Sequence, residues 1–205
     1  MDKRIEQTLK NLKRNHMTGY FLERREQLLP LMQSLIPEGQ AVGCGDSVTL
    51  EDLGVFDFLR SGKYLFYDKF KPGLTREERH ELYEKNFSAD TFVTGTNAVT
   101  VGGELVNIDG NGSRVAPMVY GPKQVIVVVG INKITKNLEE AMKRVRNIAA
   151  PLDAKRLEKG TPCETLGKCV DCHHPQRICN DFVVIAGQFN EERIKVIIMN
   201  EALGF

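Results

Sequence analysis

Apolar residues recur along this chain in two periods. Ile5, Leu9 and Leu12 return at helical spacing, and so do Leu28, Met32, Leu35 and Ile36, behind Phe21 and Leu22. The pattern predicts an amino-terminal helical pair over 1–37, with helices at about 2–15 and 20–36, a break near Gly19 and a stop at Pro37. Pro30 conflicts with an uninterrupted second helix and is expected to kink it, because a proline inside a helix removes a donor and crowds the preceding turn.

From residue 40 onward, short strand-like runs alternate with helical ones. Gln40–Gly43 reads as a strand, followed by the turn Gly43-Cys44-Gly45-Asp46-Ser47 and a helix from Ser47 or Thr49. Lys63–Tyr67 reads as the next strand. Thr75 and Glu78 have the spacing of a capping box and open a helix that runs to about Phe87. Thr91–Thr94 and Gln124–Val129 are β-type runs. Asn137 and Glu140 open a helix carrying Leu138, Ala141, Val145 and Ile148; Pro151 interrupts it, with a further turn over Asp153–Leu157. Phe182–Ala186 and Lys195–Met199 read as strands around the turn at Asn190-Glu191-Glu192. This alternation predicts an α/β fold with a mainly parallel sheet flanked by helices. The 205 residues suit one such domain, 1–205, with a cysteine-rich loop at 161–180.

Charge narrows the function classes. Lys plus Arg number 28 against 27 Asp plus Glu, and no basic stripe is interleaved with aromatics, so nucleic acid is not expected as a partner. The apolar run Val125–Val129, which no other exceeds, is far short of the roughly 20 residues that cross a bilayer. The amino-terminal MDKRIEQTLKNLKR lacks the apolar stretch of a signal peptide. A soluble, cytoplasmic protein without a membrane partner is expected. A reducing compartment argues against reading its five cysteines as disulfides.

Residues 89–133 concentrate the candidate chemistry. Asn97, Asn107, Asp109, Asn111, Arg114, Asn132 and Lys133 fall close to expected strand ends, and in an open α/β sheet the loops beyond the carboxyl ends of the strands converge on one crevice. Any single Asp-Gly or Asn-Gly here is ordinary turn chemistry. Together they predict a crevice lined by Asn97, Asn107, Asp109, Arg114, Asn132 and Lys133. Gly43, Gly45, Asp46 and Ser47 would form an anion cradle at a helix start. That turn lacks the Lys of a P-loop and the third Gly of a dinucleotide fingerprint, so a plain tight turn is the alternative. The expected occupant is a small anionic metabolite or nucleotide. Asp109 is the candidate carboxylate for acid–base work, with a turn-capping role as its alternative.

Cys163, Cys169, Cys172 and Cys179 are spaced C-x5-C-x2-C-x6-C. Four thiolates in one place suit a tetrahedral zinc or an iron–sulfur cluster. The spacing matches neither the common ferredoxin runs nor paired CxxC knuckles, so the metal stays open. His173 or His174 could replace one cysteine, and a redox-active thiol pair or a plain loop with free thiols are the alternatives. Cys44 stands apart and reads as a small packed side chain.

The segments ADTFVTGTNAVT, GELVNIDGNGSRVA, GPKQVIVVVGINKI, AAPLDAKRL and TPCETLGKCVDCHHPQRICN together resemble the LUD domain. This is the lactate-utilisation family that includes LutC and YkgG-type proteins. The resemblance runs from about Arg4 to the carboxyl end, and the cysteine run looks like that of a subgroup. It implies a fold similar to the ribose-phosphate isomerase, glucosamine-phosphate deaminase and CoA-transferase group. It also implies a link to bacterial oxidation of lactate to pyruvate alongside iron–sulfur partner proteins. The family supplies no catalytic residues to carry over. GTNAVTVGGELVN also resembles, faintly, the methylthioribose-phosphate isomerase motif, but Asn97 stands where that enzyme has its catalytic Asp. Three functions follow as expectations: an oxidoreductase component of lactate-type oxidation with a metal or cluster in the cysteine loop; a sugar-phosphate isomerase or CoA-transferase-like enzyme using Asp109; and a non-catalytic accessory or regulatory subunit.

Overall fold

The computed structural model describes residues 2–205. The strands are β1 (Thr18–Leu22), β2 (Ala41–Cys44), β3 (Leu65–Phe66), β4 (Thr91–Gly95), β5 (Ala98–Thr100), β6 (Leu105–Asp109), β7 (Gln124–Gly130), β8 (Ile134–Thr135), β9 (Asp181–Ile185) and β10 (Ile194–Met199). The helices are α1 (Lys3–Arg14), α2 (Leu28–Leu35), α3 (Val48–Asp52), α4 (Val55–Leu59), α5 (Arg76–Lys85), α6 (Val115–Val119), α7 (Leu138–Arg144), α8 (Ala150–Arg156) and α9 (Pro162–Leu166).

A six-stranded parallel sheet in the order β1-β10-β7-β4-β2-β3 forms the frame. β7 lies near its middle, with Val127 beside Val196 of β10 and Thr94 of β4. A strand buried on both faces reads as a continuous apolar run rather than an alternating one, and Val125–Val129 has that character. Val125, Val127 and Val129 pack into one core, which includes Ile5 and Leu12 of α1 and Val99, Leu105 and Ile185 of a second sheet. Ile126 and Val128 pack into the opposite core, with Leu28 and Met32 of α2, Leu50 of α3 and Phe56 of α4.

The second sheet is four-stranded, in the order β8-β5-β6-β9, with β6 antiparallel to both of its neighbours. The two carboxy-terminal strands therefore part company: β9 joins this sheet and β10 the main one.

Two expectations are corrected. The segment 20–36 is not one helix, so the amino-terminal unit is a helix, a strand and a helix. Thr18–Leu22 is an edge strand, its β-branched and aromatic residues pairing parallel to β10 with Tyr20 beside Ile197. The helical spacing holds only from Leu28. Pro30 is the third residue of α2, within the first turn, where its missing N–H has no intrahelical partner to lose. Pro151 does not end the later helix either. A wide π-type turn over Val145–Ala149 absorbs the missing donor, and α8 continues from Ala150. The capping residues behave as the spacing predicts. Thr75 and Glu78 cap each other's amides across α5 at 3.1 and 2.8 Å, and Asn137 accepts from Glu140 N at 3.0 Å.

The connections place a crevice at the carboxyl edge of the sheet. The chain leaves β2 toward β3 on one side and leaves β4 toward β7 on the other, so the loops beyond these two neighbours diverge.

If β7 is the spine of both cores, Ile126→Ala should lower unfolding free energy by about 2–5 kcal/mol. Val184→Ala, on the exposed side of β9, should cost far less. Urea unfolding of the two variants checks this; equal losses would show that β7 is not central.

Candidate functional site

A cleft of about 510 Å³ opens at that carboxyl edge, within the size range of small-molecule sites. Asp46 and Ser47 enter it from the loop after β2, Lys69 and Phe70 from the loop after β3, and Asn97 from the loop after β4. Lys133 enters from the short turn after β7, and the 109–114 turn before α6 supplies Asp109 and Arg114.

Arg114 organises the floor. Its Nη1 donates to Asn107 Oδ1 at 2.7 Å, and its Nη2 donates to Asn97 Oδ1 at 2.9 Å and to the Ile108 carbonyl at 2.7 Å. Its Nε pairs with Asp109 Oδ2 at 3.2 Å. Asp109 Oδ1 accepts the amides of Asn111 and Gly112 at 3.3 and 3.0 Å. The carboxylate therefore pins both the turn and the guanidinium. Gly45 lies against this group: a Cβ there would stand 2.9 Å from Arg114 Cγ and 2.5 Å from Thr94 Oγ1. Only a bare α-carbon lets the arginine stem pass the end of β2.

The charge balance is uneven. Seven basic side chains line the cleft against three acidic ones, and each acid is held by an arginine. Asp46 and Asp153 pair with Arg156 at 2.9 and 2.8 Å, and Asp109 pairs with Arg114. Lys69 and Lys133 have no carboxylate within ion-pair distance among the described residues, although they are only 7% and 3% exposed.

Lys133 Nζ donates to Thr49 Oγ1 at 3.1 Å. Burial, reinforced by the positive charges of Arg144 and Arg114, brings its pKa down to about 7. Lys69 is presented by a turn fixed at Asp68, which pairs with Arg60 at 2.8 Å and accepts the Phe70 amide at 3.0 Å. Its ammonium lies 5.2 and 5.4 Å from the ring centres of Phe70 and Tyr83. Burial lowers its pKa as well.

Of the residues singled out from sequence, Asp46, Ser47, Asn97, Asp109, Arg114 and Lys133 line this one cleft. Gly43, Gly45, Asn107 and Asn132 do not. Gly43 faces Asn86, where a Cβ would lie 2.3 Å from its Oδ1. Asn107 is fully buried behind the floor, accepting from Arg114 and from Thr96 Oγ1. Asn132 holds the carboxy-terminal segment by accepting the Leu203 amide at 3.1 Å. Ser47 accepts from Leu50 N at 3.3 Å as the cap of α3. That helix has only five residues, so few aligned peptide dipoles support an anion cradle there. Sequence reading missed Lys69, Arg79, Tyr83 and Arg156. Lys69 follows a recognised strand, so the strand-end rule could have found it. Arg79 and Arg156 sit in charged helical contexts that look the same as a solvated face.

Cys163, Cys169, Cys172 and Cys179 line a separate cavity of about 20 Å³. All are free thiols, and no three His, Cys, Asp or Glu side chains among the described residues lie close enough together to share a metal ion. His173 and His174 do not line this cavity. Cys44, the last residue of β2, is buried among apolar residues, and burial pushes its thiol up to about 12, as suits a packing role. No helix among the described residues is long and apolar enough to cross a membrane.

Known proteins add the following. A DUF162 family protein from Deinococcus radiodurans, known from a crystal structure, is 14% identical with 97% of each chain covered, and its fold superposes with a TM-score of 0.55. The eIF2B beta structure from Chaetomium thermophilum is 15% identical, covering 57% of this chain and 44% of that one. Its TM-score of 0.38 marks a likeness too partial to bear on fold or function. No curated protein matches the sequence at a significant level. The family model for the LUD domain matches residues 5–199, nearly the whole chain, and the protein belongs to the LUD domain family.

Proposed function

We propose that this LUD-domain protein is a component of lactate-type organic-acid oxidation, working alongside iron–sulfur partner proteins. Its carboxyl-edge cleft would receive a small anionic or phosphorylated metabolite or a nucleotide. The carrying observation is the pair Lys69 and Lys133, buried in one cleft without a carboxylate partner. Burying an ammonium without a counter-charge is costly, and such a group lowers its pKa and gives up its proton instead. An anionic ligand supplies the missing charge and draws protons back. The floor is suited to holding rather than reacting. Asp109 is engaged by Arg114 and two turn amides, which favours binding over the base role that an isomerase or CoA-transferase reading requires.

Calorimetric titration with lactate, pyruvate, ribose 5-phosphate and AMP checks this reading. At least one of these anions should bind. Lys69→Ala should weaken that binding by roughly 10- to 100-fold, the worth of a charge-assisted hydrogen bond. No binding by any of the four, or undiminished binding by the variant, would remove the cleft from consideration.

The depressed amine also sets a pH dependence of stability. Between about pH 7 and the ordinary lysine value of 10.5, the unfolded chain keeps a proton on residue 133 that the folded chain has released. Stability rises with pH wherever the unfolded state binds more protons. Lys133 should therefore add up to roughly 1.4 kcal/mol of stability per pH unit gained through that window. Lys133→Met should remove that slope. Urea unfolding at about pH 7.5 and about pH 9.5 measures it, and parallel behaviour of variant and parent would mean the amine titrates normally.

A further inference from the structure

The cysteine loop is gathered around a point of its own. Cys163 lies on α9, Cys169 and Cys172 in the following stretch, and Cys179 just before β9, yet all four open on to the same small cavity. From Cys169 to Asn180 there is no helix or strand, and among the described residues the one backbone hydrogen bond internal to the stretch runs from Arg177 N to the His174 carbonyl.

The bonds that shape this stretch converge on the cysteines. Arg177 donates from Nη1 to the Cys172 carbonyl at 2.9 Å and from Nη2 to the Cys179 carbonyl at 2.6 Å, so one guanidinium ties two of them together. Asp171 adopts a left-handed φ of +50°, which folds the Cys169-Val-Asp-Cys172 segment tightly and directs its own N–H to Cys169 Sγ at 3.4 Å. Ile108, Ala150 and Phe182 give the cavity an apolar wall. A segment with so little regular structure and no core of its own is the kind that metals or cross-links hold in small folds.

We propose that Cys163, Cys169, Cys172 and Cys179 form a four-thiolate site for a single soft divalent cation, zinc by preference, which closes the 161–180 loop. The x2 spacing of Cys169 and Cys172 lets both sulfurs reach one centre, as in structural zinc sites. The run C-x5-C-x2-C-x6-C is not one of the common ferredoxin runs, which favours one ion over a cluster. As the loop stands, no three of these groups among the described residues share an ion, so binding would have to draw the sulfurs together as the loop orders, the two being one event for a structural metal. The ion would also brace the cleft, because Arg177 lines both cavities. The metal site is independent of the anion reading and is tested with no anion present.

The experiment uses the full chain, reduced and chelator-stripped without oxygen, then titrated with cobalt(II). The expected result is the intense visible absorption of a tetrahedral four-sulfur cobalt site, saturating at one equivalent and displaced by zinc. Zinc should also suppress proteolytic cleavage within 161–180. Cys169→Ser combined with Cys172→Ser should abolish the absorption while leaving the far-ultraviolet circular dichroism intact, because neither residue belongs to a hydrophobic core. His173→Ala should retain it. A pale six-coordinate cobalt spectrum, retention of the four-sulfur spectrum in the double variant, a Cys169–Cys172 disulfide in freshly prepared protein, or a four-iron chromophore after anaerobic reconstitution would each overturn the single-ion site.

Discussion

Arg114 sits where the two sheets meet, and its guanidinium fixes the relation between them at the cleft. One planar group reaches the loop after β4 through Asn97, the body of β6 through Asn107 and Ile108, and the turn after β6 through Asp109. Its side chain is only 11% exposed. Removing one partner from a buried, hydrogen-bonded ion pair costs about 3–5 kcal/mol, because the other charge is left uncompensated. The geometry is permitted by an absence: with any Cβ at residue 45 the arginine stem would collide with the end of β2. Gly45, Asp109 and the two asparagines thus form one unit with Arg114, and the walls of the cleft are set from it.

With Arg114 and Arg156 committed to the acids, Lys69 and Lys133 are left without a carboxylate among the described residues. Arg114 answers Asp109, and Arg156 answers Asp46 and Asp153. Lys69 and Lys133 project from loops after parallel strands on to the same space, each held by contacts that do not cancel its charge: a hydroxyl for one, two aromatic rings for the other. A parallel sheet brings this about because all of its strands end on the same side. Polar groups from loops distant in sequence then share one edge, and a surplus of either sign there concentrates into a single field.

Legibility in the sequence followed the range of the forces involved. β7 was evident because burial on both faces leaves an unbroken apolar run. The starts of α5 and α7 were evident because capping is local, settled within four residues. β1 was missed because Phe21 and Leu22 also continue a helical register, and what selects the strand is pairing with β10, more than 170 residues away. The second sheet was missed because it unites β5, β6 and β9 across the length of the chain. At the site, strand-end reasoning brought Asn97, Asp109, Arg114 and Lys133 to one place. It misjudged their division of labour, since a sequence does not show that Arg114 spends its donors internally or that Lys133 is left without a carboxylate. Asn107 and Asn132 carried the same polar signature as the cleft residues, but support the floor and the carboxy-terminal segment from outside it.

The charge state of Lys133 bears most directly on the site. Nuclear magnetic resonance of lysine side chains, with the Lys133 signal identified by its loss in Lys133→Met, follows its titration in the folded protein. The structure predicts a midpoint near 7 in the free protein, and a rise when a bound anion supplies the missing countercharge. A midpoint at the ordinary 10.5, or one near 7 that a bound anion leaves unmoved, would contradict a cleft built around uncompensated buried lysines.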